Sequence, residues 1–98
     1  LAGSLGEMAR VLRPGARAAV MLGDSIAGER VMWADESIAA ALPATLQVSA
    51  WAWQSRPKLG RREFDMFGDR PKRECIFLLT RIVGKPQVVG PLESDRAE

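Results

Sequence analysis

Residues 11–25, VLRPGARAAVMLGDS, decide how this chain folds. The stretch reads as the last turn of a helix, a Pro14-Gly15 break, a buried strand over Ala16–Leu22, and a polar Gly23-Asp24-Ser25 where that strand ends. The run ARAAVML is too short and too abruptly bounded for a helix. Lacking clean alternation, it suits a strand covered on both faces. Ligands of open α/β sheets sit at the carboxyl ends of strands, which makes Asp24 and Ser25 candidate substrate-binding residues. The competing reading is a plain turn, since Gly, Asp and Ser all favour turns for local backbone reasons.

Upstream, Ser4 and Glu7 have the S-x-x-E spacing of a capping box, and Leu5, Met8 and Leu12 recur at helical intervals. This predicts a helix over Ser4–Leu12, ended by Pro14 and Gly15. Downstream, residues 28–33 read as a loop into a second helix capped by Asp35. Ala34, Ile38, Ala41 and Leu42 form its apolar face, and Pro43 closes it. The clearest period-2 segment follows. Leu46, Val48, Ala50 and Ala52 point one way, and Gln47, Ser49, Trp51 and Trp53 the other. A last strand over Glu74–Val83 carries the apolar run CIFLL. Residues 1–84 make the folded part, and 85–98, rich in Pro, Gly and charge, are expected to form a loose tail. A helical crossover between the first two strands predicts that they are parallel neighbours.

Composition narrows the chemistry. Ninety-eight residues, 47% hydrophobic and 27% charged, make one small folded unit and not a disordered chain. No apolar run approaches the roughly 20 residues of a bilayer span, and no secretory leader pattern is present, so a cytoplasmic protein with no membrane contact is expected. One cysteine and no histidine exclude an internal disulfide, a Cys/His metal cluster and Ser-His-Asp chemistry within this sequence. A glycine-rich turn after a first strand, the usual cradle of a nucleotide-like cofactor, does not occur. With Leu1 at the start, the chain is expected to be the second part of a longer domain.

These residues carry a family resemblance. EMARVLRPGARAAVMLGDS resembles the stretch of class I S-adenosylmethionine-dependent methyltransferases that runs from the fourth helix into the fifth strand. The closing RECIFLL, Arg73–Leu79, is similar to the end of those related to DNA amino-methylases and tRNA guanine-N2 methylases. QSRP, at residues 54–57, points to the same branch, and the resemblance covers Ser4–Val83. Ala16 departs from it, standing where a second glycine is common. The resemblance implies an α/β three-layer fold of which this chain is the C-terminal half of a Rossmann-like sheet. It also implies a closing antiparallel strand pair, with the seventh strand between the fifth and sixth. The implied activity is transfer of a methyl group from S-adenosylmethionine to a base amine. The cofactor would be held mainly by an N-terminal half of the same domain, because the glycine-rich turn, the ribose-binding acid and the Asn/Asp-Pro-Pro-Tyr motif lie outside this sequence. The first strand would then have a bare edge, open to that half or to self-association.

Residues 56–73, RPKLGRREFDMFGDRPKR, hold seven Lys/Arg against three Asp/Glu, a local net of +4 in a chain of net +2. Read as a long basic loop with Phe64 and Phe67 interleaved, the segment is a candidate DNA or RNA contact. Arg56, Arg61 and Arg62 are its candidate substrate-binding residues. A solvated loop whose phenylalanines fold onto the core is the plainer alternative. Trp51 and Trp53 suit a strand packing under a helix better than a base-stacking platform. Cys75 reads as a buried, inert thiol, and Arg73 and Glu74 as structural ion-pair partners. A rival to the enzyme reading is a small non-catalytic α/β module that binds nucleic acid or a protein partner through the basic segment.

Overall fold

The most apolar strand takes the centre of the sheet. The computed structural model describes residues 1–83, and in it β5 (Lys72–Arg81) lies between β1 (Arg17–Gly23) and β4 (Leu46–Arg56), antiparallel to both. A two-stranded hairpin, β2 (Ser25–Ala27) and β3 (Arg30–Met32), follows β1. Three helices complete this α/β unit: α1 (Ala2–Val11), α2 (Ala34–Ala41) and α3 (Gly60–Phe67). The expected tail, 85–98, lies outside the described residues. No helix among the described residues is long and apolar enough to cross a membrane.

β1 and β4 point the same way, as the helical crossover requires, but they are not neighbours. The parallel pair expected from the sequence is replaced by two antiparallel ladders, because β5 enters between them and bonds both. The 15 residues 57–71, expected to be a basic loop, contain α3, which carries the chain back from the end of β4 to the start of β5. The segment expected to lead loop-like into α2 is mostly the β2–β3 hairpin. Its tight turn is made by Gly28 at a φ of 61°, a left-handed conformation that costs glycine little. Gly15 plays the comparable part after α1, at a φ of 83°, as the Pro-Gly break predicted.

α1 and α2 lie on one face of the sheet. Leu5 and Ala9 of α1 and Ala34 and Ile38 of α2 join Leu46, Cys75, Phe77 and Leu79 in a single buried cluster. Ala41 and Leu42 pack against it, so the apolar face read for the second helix holds. The capping box does not form: α1 begins at Ala2 without a side-chain cap, and Glu7 instead pairs with Arg10 at 2.9 Å. Arg81 completes the other end of α1, its Nη1 donating to the carbonyls of Ala9 and of Leu12, the latter at 2.9 Å.

A bulge reverses the phase of β4. Val48 faces Leu79 and Ala50 faces Leu78, so Ser49 is the extra residue. Strict alternation would set Trp51 and Trp53 opposite Leu46 and Val48. The bulge instead brings all four toward the core, where Trp51 stacks on Phe77 with centroids 5.3 Å apart and planes 11° from parallel. The core role expected for the indole pair is therefore met, by a route the period-2 pattern does not contain.

The other face of the sheet is apolar and carries no helix among the described residues. Ala19 and Met21 of β1, Ile76 and Leu78 of β5, and Ala50 and Ala52 of β4 meet across it in register. Met21 is 64% exposed and Ile76 44%. β1 therefore alternates between exposed and half-buried residues and is not covered on both faces.

Candidate functional site

The site assembles where β1 ends. Leaving the strand after Gly23, the backbone N–H of Asp24 donates to the carbonyl of Arg73 at 2.8 Å, which brings the end of β1 against the start of β5. The Asp24 side chain then turns inward and accepts four hydrogen bonds. Oδ1 receives the Ala34 N–H at 2.8 Å and Arg73 Nη2 at 3.1 Å; Oδ2 receives the Arg73 N–H at 2.9 Å and its Nε at 2.8 Å. Arg73 Nη2 also donates to Asp35 Oδ1 at 2.7 Å. All three residues are buried.

One carboxylate thus ties three elements together: the end of β1, the start of α2 and the start of β5. Its bond to Ala34 satisfies an orphan N–H of the α2 first turn, so Asp24 caps that helix from ten residues away. Asp35, expected as the cap, lies inside the first turn. Trp33 holds the cap position, which frees the Asp35 carboxylate to reach Arg73.

Aromatic rings enclose the buried guanidinium. Arg73 Cζ stands 5.5 Å from the centroid of Trp33 and 5.8 Å from those of Trp51 and Trp53. Arg70 lies over the Trp33 ring at 3.8 Å, and Phe67 meets Trp33 edge-on at 5.5 Å. Burial works against the charge of Arg73, but its bonds to Asp24 and Asp35 outweigh that penalty and push its pKa above the ordinary guanidinium value. Such a group donates hydrogen bonds and does not exchange protons in the physiological range. The arrangement suits holding and positioning, not acid–base work.

The residues read from the sequence as substrate-binding divide into separate places. Asp24 is buried with its carboxylate engaged as described, and Ser25 is exposed at the start of β2. Arg56, at the end of β4, stands 3.6 Å from Glu74. Arg61 and Arg62 come together in the first turn of α3, beside an open depression shared with Glu29, Asp65 and Met66. Arg62 also donates to the carbonyl of Gly28, joining α3 to the hairpin turn. Cys75 is buried, as expected.

The basic segment is less free than its sequence suggests. Lys72 pairs with Glu63 at 2.9 Å, Lys58 donates to the Gly68 carbonyl at 2.7 Å, and Arg73 is in the triad. Glu63 also accepts the Leu59 N–H at 2.7 Å at the start of α3. That bond first, and Lys72 second, hold its pKa below the ordinary 4.5. A carboxylate with a depressed folded-state pKa stabilises the fold above its unfolded pKa, and the contribution is lost as pH falls through the folded value. Glu63→Gln is therefore expected to flatten the loss of stability below about pH 4.5, with urea midpoints compared at pH 3 and pH 7 as the check.

Arg73 is the site residue that sequence reading missed as a centre. A signal was present: Arg73, Cys75, Phe77 and Leu79 share one phase of β5, so a cation stands in register with three core residues. A buried cation in that position requires a buried carboxylate, and Asp24 and Asp35 supply two. Among the described residues no cluster of His, Cys, Asp or Glu is arranged to hold a metal ion. No family model, curated protein or solved structure matches the chain.

Proposed function

We propose that this chain is the C-terminal half of a class I methyltransferase domain that transfers a methyl group to an amine of a nucleic-acid base. The observation that carries the reading is the sheet order β1-β5-β4 with β5 antiparallel to both neighbours. It is the arrangement expected if these strands are the fifth, seventh and sixth of that fold. The apolar face carrying Met21 and Ile76 gives further support, since a three-layer fold has helices on both sides of its sheet. Among the described residues one edge of β1 has no strand beside it, and that edge is where the rest of a parallel sheet would join. Arg17 is the only charge along it, so it lacks the usual protections of an exposed edge strand.

The described residues do not form a cradle for S-adenosylmethionine. The strand-end carboxylate, Asp24, is committed to Arg73 and Ala34, and the sequence holds no glycine-rich turn. On this reading the cofactor is held by an N-terminal half, and these residues supply substrate-side walls. A cytoplasmic location belongs to the same proposal.

The test begins with the reading frame upstream of Leu1, followed by transfer of labelled methyl from S-adenosylmethionine to RNA and DNA oligonucleotides by the whole product. A glycine-rich strand–turn–helix upstream, with label appearing on a base amine, is the expected result. A frame without that turn, and a product that moves no label, would overturn the reading. Salt-sensitive nucleic-acid binding by the 98 residues in that second case would favour the non-catalytic module. The exposed Phe64 and Arg61 on α3 are the surface that module would use.

A further inference from the structure

The outer edge of β1 carries a defined pattern of backbone groups. The Arg81 N–H donates to the Ala16 carbonyl at 2.9 Å and the Asp24 N–H to the Arg73 carbonyl at 2.8 Å, both at opposed positions of the β1–β5 ladder. Opposed residues of an antiparallel pair alternate between bonded and non-bonded positions. Ala18, Val20 and Leu22 therefore turn their backbone groups toward β5, and Arg17, Ala19, Met21 and Gly23 turn theirs outward. Among the described residues no strand lies beyond them. None of the four is proline, so each offers a donor and an acceptor. Their side-chain positions are exposed, on the uncovered face of the sheet. The opposite edge, β4, is interrupted by the Ser49 bulge, a feature that discourages pairing.

Reversed, this edge is complementary to itself. A two-fold axis normal to the sheet sets β1 antiparallel to a second β1 within one continuous sheet. With the axis at Val20 all seven residues of the strand are paired. Arg17 then faces Gly23 of the second copy, and Ala19 faces Met21. Outward residues meet outward residues, so each of these pairs can exchange two backbone hydrogen bonds. An axis between residues would set outward groups against inward ones, and an axis at Ala19 or Met21 would leave residues unpaired at the strand ends. Each pair also places a long side chain beside a small one, and the two arginines stand at opposite ends of the seam, where they do not repel.

Charge completes the match. Gly23 lies opposite Glu74, and Glu74 opposite Gln54, so one row across the seam reads Arg17 of the second copy, Gly23, Glu74, Gln54. Gly23 has no side chain to stand between the ends of that row. Arg17 and Glu74 would be two strand spacings apart, about 10 Å, which their side chains together span. Glu74 Oε1 accepts from Gln54 at 3.3 Å and stands 3.6 Å from Arg56. A carboxylate has about four acceptor sites, so a further donor can be taken.

We infer that the outer edge of β1 is a dimer interface between two copies of this chain, paired antiparallel about Val20, with Arg17 of each copy reaching Glu74 of the other. The result is a six-stranded sheet in which the bare edges are closed against each other. This goes beyond the methyltransferase reading, which gives the same edge to another part of a longer product. Association is read from the 98-residue chain and methyl transfer from the longer product, so either can fail alone.

Sedimentation velocity of the 98-residue chain, from about 5 to about 500 µM, is expected to show a monomer passing to a dimer and no larger species. Ala19→Pro removes an outward N–H, at a position where an edge strand tolerates proline, and should weaken the dimer about tenfold or more. Arg17→Glu and Glu74→Arg each set like charges at both contacts, and each alone should weaken it at least about fivefold. Mixed in equal amounts, these two variants should recover the dimer, because the mixed pair has opposite charges at both contacts. A variant that had merely failed to fold would not be rescued by mixing. A chain still monomeric at about 500 µM, growth beyond two copies, or indifference to Ala19→Pro overturns the edge pairing. Failure of the mixture to recover the dimer overturns the Arg17–Glu74 contact and with it the register about Val20.

Discussion

Asp24→Ala is expected to lower the stability of the fold by about 3–5 kcal/mol, the range for removing one partner of a buried ion pair. The cost comes mainly from what remains. Arg73, 3% exposed, would keep its charge and lose its Nε partner, and the Ala34 N–H would lose its acceptor. Small domains are stable by only about 5–15 kcal/mol in total, so a large part of the margin would disappear. Urea unfolding followed by far-UV circular dichroism gives the number. Asp35→Asn should be milder, about 1–3 kcal/mol, because the Nε and Nη2 bonds to Asp24 persist. Combining Asp24→Ala with Arg73→Met should recover part of the loss by removing the stranded charge. A single-mutant cost below about 1 kcal/mol would mean that the triad does not hold the three elements together.

Phe77→Ala is expected to cost about 3–5 kcal/mol, and Ile76→Ala, one residue away, much less. Phe77 is fully buried at the centre of β5, between Val20 and Trp51 in the register, and it stacks on the Trp51 ring. Its removal leaves a cavity that neighbours on three strands and two helices cannot readily close. Ile76 points to the uncovered face and is 44% exposed. In the 98-residue chain its truncation should change stability by only about 0.5–1 kcal/mol. Thermal unfolding of the two variants separates the faces of the sheet. Comparable losses at 76 and 77 would show that the outer face is covered, for example by a second copy, when the chain is on its own.

The elements themselves were largely legible. Pro14-Gly15 ended the first helix where expected, the apolar spacing of Ala34, Ile38 and Ala41 marked the second, and CIFLL marked the strand that became the centre of the sheet. These are local properties: backbone conformation at glycine and proline, and the periodicity with which side chains face a core. They survive in the sequence because neighbouring residues impose them. The charge of residues 56–73 was equally plain, but its arrangement was not. A helix formed there, and Lys72 and Arg73 turned to partners 9 and 49 residues away.

What only the tertiary structure decided were pairings between distant residues. The Ser49 bulge put Trp51 and Trp53 on the core face, an outcome set by the ladder with β5 and not by the alternation of β4. Strand order came from β5 entering between β1 and β4, which required two long-range ladders to form together. The triad is the sharpest case. Asp24 read as a pocket-edge or turn residue, Asp35 as a helix cap and Arg73 as one partner of an ion pair within its own sheet. Each is ordinary in its own neighbourhood, and only burial in one place obliges a guanidinium to bind two carboxylates from distant parts of the chain. The sequence by itself determined where helices, strands and breaks fall, because local sterics and periodicity suffice for that. The fold determined which of its charges lie inside, because the cost of an unpaired buried charge arises only once the chain has closed around it.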